Sequence, residues 1–453
     1  MGIAFLGMSG CSLFRATLNG YDTGPDGISR AQQELREALV HGDFAVALGA
    51  REDDQLLRAL SLGSSSYYAS QYARSASLLD SAALLADDRI TNSVSANALA
   101  LVSSDLARPY QARRTERLFI PYYAMLAFAR LDQWEDAAVE ARRLGGLLAE
   151  YAADRVESER AMHATLHYLA GVMFERAGEK GDAQVAYRLA RALLPEQVDS
   201  SRSQGSRGDG EILVVLERGF VAHRATEMIN VRLGGEDYDA PGTRPRERTV
   251  YEKAKAAARI AAGGNADSAR LAAKADRRRD RDDDRDDDDG YLLRVALPSI
   301  RRAPRMGGEP SMVVDGEGIP GARVGSVLDD AVGADQERER AGLMARATAR
   351  AMAKYAVTKA VKDKKGEVAG SLANVGASLM ERADVRSWHL LPQMVTLLRV
   401  RVPEGQRQLQ LEVGEGRQRV DLGEVRVRAG QLTIVSTRVW RDIRNAPLLA
   451  TAR

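Results

Sequence analysis

A chain of 453 residues with 65 Lys plus Arg against 63 Asp plus Glu carries a net charge of only +2, so it has no global field to gather nucleic acid or an anionic membrane. Its single cysteine excludes an intramolecular disulfide framework, a tetracysteine zinc site and a CxxC redox pair. The length suits two or three folded units rather than one core, and no segment reaches the roughly 18 consecutive apolar residues of a spanning helix.

The chain begins with Ile3, Ala4, Phe5, Leu6 and Met8, followed by Ser9, Gly10 and Cys11, an apolar run passing into small residues as at the end of a secretory signal. "LGMSGC" resembles the lipobox of bacterial lipoproteins, in which the cysteine is acylated and becomes the first mature residue; Met8 stands where leucine is usual. The resemblance implies lipid attachment at Cys11, with residues 1–20 as a truncated signal and tether, and a basic n-region expected upstream of Met1. Ser12 replaces the aspartate associated with inner-membrane retention, which implies the outer membrane, facing the periplasm. The alternative is a plain thiol near a frayed terminus.

Residues 21–198 are expected to form an α-helical domain, since Ala, Leu, Arg and Glu recur in runs there. In "HYLAGVMFERAGEKGDAQVAYRLARALLP", Gly171, Phe174, Ala183, Tyr187, Ala190 and Pro195 fall at tetratricopeptide spacings. Small residues at Gly171 and Ala183 let two antiparallel helices approach, Tyr187 fills the gap, and Pro195 stops the second helix. "PYYAMLAFARLDQWEDAAVEARRL" repeats the pattern through Phe128 and Ala137, and residues 60–88 give a weaker copy through Gly63, Ser75, Leu79 and Ala82. Extra helices are expected near 29–48 and 92–107. Stacked helix pairs form a superhelix with a groove, for which Tyr122, Tyr123, Trp134 and Tyr168 are the candidate lining; aromatics at this spacing are more often core.

Beyond a Ser/Gly-rich linker, residues 199–335 read as a β-rich region with strands at Ile212–Leu216, Met228–Leu233 and 291–300. They enclose an insertion at about 237–290 that contains nine Asp and five Arg between Asp276 and Asp289. It is expected to be disordered, because such a segment buries too little surface to offset its ordering entropy. Gly316, Gly318 and Gly321 form a GxGxxG, but Pro320 interrupts the helix that a dinucleotide site needs at the third glycine.

Residues 336–392 are expected to be a helical segment. Arg346, Arg350 and Lys354 repeat every four residues on one side and are the candidate polyanion contact, for anionic membrane or peptidoglycan; a solvated polar face above an alanine-rich packing face is the commoner use of that pattern. Residues 393–453 alternate clearly, as at Leu409, Leu411 and Val413, with glycines at the turns, and predict a small antiparallel β-sandwich of about five strands. The fold class is therefore α+β: an N-terminal tetratricopeptide-like helical array, a mixed region with a basic helix, and a C-terminal antiparallel β-sandwich.

"YYAMLAFARLDQWEDAAVEARRL", "GEILVVLERGFV", "YLLRVALPSI", "ARATARAMAKY" and "ERADVRSWHLLP" resemble a family of bacterial envelope proteins, usually lipoproteins, with tetratricopeptide-like N-terminal halves. The resemblance implies periplasmic exposure, tethering to the membrane by Cys11 only, and no catalysis. The five histidines are scattered; His163 and His167 lie one helical turn apart without an HExxH glutamate or a third ligand, so no catalytic residue, metal or cofactor is assigned. The expected function is that of a lipid-anchored periplasmic adaptor or scaffold that binds a protein partner in the envelope through its helical groove, and not of an enzyme. The alternatives are a regulator of peptidoglycan assembly, an unrecognised hydrolase and a cytoplasmic repeat scaffold.

Overall fold

The computed structural model describes residues 28–49, 52–93, 108–199, 208–233, 291–365, 383–414 and 418–440. Cys11, the linker just before Gly208, the Asp/Arg-rich insertion and most of the helix expected at 92–107 lie outside the described residues. What is described is a mixed helix and sheet protein with an N-terminal helical array.

The array runs through α1 (Arg30–His41), α2 (Phe44–Gly49), α3 (Gln55–Tyr68), α4 (Tyr72–Ser93), α5 (Arg114–Arg130), α6 (Trp134–Glu150), α7 (Arg160–Arg176), α8 (Lys180–Leu193) and the short α9 (Pro195–Asp199). Local chemistry sets the ends. Ser29 and Gln32 form a reciprocal capping box on α1, and Asp54 accepts the Leu56 and Leu57 N–H groups at the start of α3, which satisfies donors that the first turn of a helix leaves unpaired. Successive helices pack in pairs at glycine. A β-carbon on Gly171 would lie 2.8 Å from the Tyr187 ring, and one on Gly63 would lie 2.9 Å from Leu79, so α7 closes on α8, and α3 on α4, only because those side chains are absent.

Three sheets follow. Strands β1 (Asp209–Arg218), β6 (Ala322–Val327), β7 (Met394–Pro403) and β10 (Leu432–Val439) form one in the order β10-β1-β7-β6. Strands β4 (Ser311–Val314), β5 (Glu317–Ile319), β8 (Gly405–Val413) and β9 (Gln418–Val427) form another in the order β5-β4-β8-β9. Strands β2 (His223–Leu233) and β3 (Tyr291–Arg301) pair as a separate antiparallel ribbon. The segments expected as a β-rich region and as a C-terminal sandwich are thus interleaved, because β1 and β6 pair with β7, and the C-terminal strands divide between two sheets. One pair departs from the antiparallel expectation: β10 runs parallel to β1, with Glu211 opposite Leu432 and Arg218 opposite Val439.

Strand β1 explains the layering. Leu213 and Val215 point into a core shared with the helices, while Ile212, Val214 and Leu216 point into a second core between the two four-stranded sheets. A strand covered on both faces needs a continuous apolar run rather than alternation, and "ILVVL" supplies it. The order of layers is helical array, first sheet, second sheet.

Helix α10 (Leu328–Lys365) spans 38 residues, about 57 Å at 1.5 Å per residue. It starts eight residues before the expected 336, directly from β6, with Asp329 and Asp330 in its first turn where the helix dipole favours negative charge. Residues 383–392, expected to belong to the helical segment, instead run extended and turning between the array and β7. Charges lock α10 to the array and to β2: Asp335 accepts the Thr115 N–H at 2.9 Å, Arg338, itself held by Asp335 on the same helix, pairs with Glu159, and Glu339 pairs with Arg113 of the array and Arg224 of β2.

Burial lifts the Asp335 carboxyl from 3.8 to about 6, its Thr115 hydrogen bonds opposing the shift and Glu116 and Glu159 adding to it. The folded protein therefore holds that proton more tightly than the unfolded chain, so this group stabilises the fold below about pH 4 and loses that contribution as the pH rises towards 6. Asp335→Asn keeps an acceptor for Thr115 without the buried charge. Its stability relative to the parent protein is expected to climb between about pH 4 and 6 and then level off, as measured by urea unfolding at a series of pH values; a pH-independent difference counts against the assignment.

Candidate functional site

Three of the four aromatics expected to line a groove do not do so. Tyr122, Tyr123 and Tyr168 are at most 2% exposed, and only Trp134 retains partial exposure, with Arg176 stacked on its ring. The reason is that the face of α3, α5 and α7 on which the tyrosines lie is covered by the first sheet. Tyr67 donates to Ser436 at 2.7 Å, and Tyr68 and Tyr122 donate to the two oxygens of Glu217 on β1 at 2.8 and 3.1 Å. Arg438 on β10 donates to the Tyr68 oxygen and to the carbonyls of Gly219, Leu390 and Leu391. Since the Tyr68 proton goes to Glu217, the 2.7 Å Tyr68–Tyr123 contact is donated by Tyr123. Burial raises the Glu217 carboxyl above its usual value, against the pull of Arg438 and the three phenols. This cluster is sealed from solvent and joins layers; it offers no access to a substrate.

The remaining sequence candidates also fall apart in space or lie outside the described residues. His163 and His167 are buried on α7, and desolvation pulls both imidazoles down to about 4, so they are neutral at pH 7. Among the described residues no group of three His, Cys, Asp or Glu side chains is placed to hold a metal ion. Arg346 sits part-buried on α10 and is engaged with a neighbour; the side chains of Arg350 and Lys354 lie outside the described residues. Gly316 lies in the tight β4–β5 turn at φ 87°, so the GxGxxG is a β-turn and opens no helix.

The outward side of the array carries a cleft. It lies between α4 (Ala83, Ala86, Asp87), α5 (Arg117, Ile120, Pro121) and α6 (Arg143, Gly146, Leu147, Glu150), with a volume of about 350 Å³, at the low end of ligand-pocket sizes. Ala83, Ala86, Ile120 and Pro121 are buried and make an apolar floor. Charge is layered above it. Arg117 pairs with Asp87 at 2.8 Å and with Glu150 at 3.6 Å and donates to the Tyr151 hydroxyl, while Arg143 reaches Asp87 at 3.5 Å and Asp80 at 3.7 Å. The arginine side chains are 12% and 25% exposed, whereas the three carboxylates are 54–63% exposed.

Two features of the cleft weaken its helices. Pro121 cannot donate to the Arg117 carbonyl one turn back, and it sits inside α5. Gly145 and Gly146 sit inside α6 at a cost of about 0.5–1 kcal/mol each relative to alanine, yet a β-carbon on either would meet nothing within 4 Å. Among the described residues no packing contact demands these glycines, and the space above Gly146 belongs to the cleft. Sequence reasoning passed over this site; the signal was "RRLGG" in mid-helix, opposite a helix-interior proline. No family model matches the chain, and no curated protein matches it.

Proposed function

We propose that the protein is an adaptor, tethered to the outer membrane through an acylated Cys11 and holding a segment of a protein partner in the cleft between α4, α5 and α6. The paired helices are read as tetratricopeptide-like, on the strength of the Gly171–Tyr187 approach and the buried Ala183 and Ala190. The observation that carries the reading is where the array is open. Its inner face is filled by its own sheet, so the tyrosines that would line a groove are core, whereas the outer face keeps a cleft with an apolar floor and a charged wall. Exposed apolar side chains also lie on that side, Leu84 on α4 and Val139 on α6.

The test compares tagged full-length protein with Gly146→Trp, which fills the cleft, and with Val185→Trp on the exposed face of α8, purified from envelope fractions. Envelope proteins recovered with the parent and with Val185→Trp are expected to fall at least tenfold with Gly146→Trp, and Cys11→Ser is expected to move the chain from the membrane pellet to the supernatant. Equal recovery with all three defeats the cleft reading.

A further inference from the structure

We propose that the occupant of the cleft is an extended peptide segment bearing a lysine, its backbone lying over Gly146 and its ammonium set among Asp80, Asp87 and Glu150. This rests on the adaptor reading and adds the chemistry of the partner. The first argument is the order of the charges. The two guanidiniums lie beneath and are engaged with three carboxylates that stand half-exposed above them, so an approaching group meets negative charge first, and these five groups together carry one negative charge. Asp80 and Asp87 are two turns apart on one face of α4, and Glu150 faces them from α6.

The second argument is what lies below. Ala83, Ala86 and Ile120 offer an apolar floor, which suits the methylene stem of a lysine while its head stays among the carboxylates. A compact ammonium with three freely directed donors fits carboxylates that arginines already hold; a second guanidinium would seek a planar, two-oxygen face. The third argument is Gly146, where the missing side chain admits close approach of another backbone. That favours a peptide over a free amine.

The experiment titrates the full chain with fluorescent Ac-Ala-Leu-Lys-Ala-Leu-Ala-NH2, the same peptide with Nε-acetyl-lysine, the same peptide with glutamate, and 1,5-diaminopentane as competitor. The lysine peptide is expected to bind, more weakly as salt rises. The lysine peptide is expected to bind Glu150→Gln up to about fivefold more weakly, the fold-change of one exposed ion pair at its upper limit of about 1 kcal/mol, and the acetylated and glutamate peptides, which lose the ammonium facing all three carboxylates, are expected to bind the parent protein at least that much more weakly. Gly146→Leu is expected to abolish binding without lowering the melting temperature, since leucine meets no packed atom and favours the helix more than glycine does, and the diamine is expected to compete poorly. Preference for the glutamate peptide, still lost in Gly146→Leu, overturns the lysine assignment and leaves the adaptor cleft standing. Absence of binding by every peptide, or full competition by the diamine, also overturns the lysine-segment proposal; the adaptor reading falls only if Gly146→Trp keeps its envelope partners.

Discussion

Arg438→Met is expected to lower the free energy of unfolding by about 3–5 kcal/mol, the usual result of deleting one partner from a buried charged network. The loss is read as a fall in the urea midpoint at constant slope. Arg438 is 1% exposed, and its guanidinium does four jobs at once: it donates to Tyr68 and to the carbonyls of Gly219, Leu390 and Leu391. It also lies 4.1 Å from the centre of the Trp440 ring. Methionine fills much of the volume but donates nothing, so three buried carbonyls lose this donor and Glu217 loses the positive charge nearest its carboxylate. Tyr68→Phe tests the route between the two charges, because Tyr68 accepts from Arg438 and donates to Glu217. In the double variant Arg438→Met with Glu217→Leu the loss is expected to fall short of the sum of the single losses, since each single change leaves the other's buried charge without its counter-charge and the double removes both. A loss under about 1 kcal/mol for Arg438→Met would mean that the junction between helices and sheet does not depend on this cluster.

The parts of the fold that were legible in the sequence are those decided within a few residues of one another. Gly171, Ala183 and Tyr187 stand on two consecutive helices, and their spacing alone states that the helices must approach closely. "ILVVL" announces a strand for the same local reason. Pairing was not legible, because β1 meets β10 and β7 across a separation of about 175 to 220 residues, and alternation in one strand does not name its neighbour. The site suffered from the same gap. Helical periodicity gives Tyr122 and Tyr123 a face, but whether solvent, partner or the chain's own sheet covers that face is a property of the remote strand that carries Glu217. The segment "ADVRSWHLLP" has apolar residues that suit a helix or a strap equally, and its tertiary partners decide. In the cleft the information was present but carried by residues that pattern-reading treats as faults, Pro121 within α5 and Gly145–Gly146 within α6.

Trp388→Ala is expected to cost about 3–5 kcal/mol, the range for emptying a large aromatic site in a core, and to do so by loosening the strap rather than any helix or sheet. Trp388 is 1% exposed and stands in the non-helical segment between α10 and β7. Its backbone N–H donates to Glu116 on α5 at 2.7 Å, its indole N–H reaches Ser64 on α3 at 3.3 Å, and its ring lies 5.7 Å from that of Tyr123. On the same strap the His389 carbonyl accepts from Arg36 on α1 at 2.7 Å, and Gln393 accepts from the Met306 N–H and donates to Asp329 on α10. One short segment therefore touches α1, α3, α5 and α10, and alanine at 388 removes its apolar anchor while leaving the backbone hydrogen bond to Glu116. Hydrogen exchange followed by mass spectrometry separates the two consequences. Amides of residues 383–393 are expected to lose protection most, with α7 and α8 little changed at the same temperature, because those helices pack on each other through Gly171 and Tyr187. A uniform loss across the array would show instead that the strap and the helices unfold as one unit, and that Trp388 anchors the array itself.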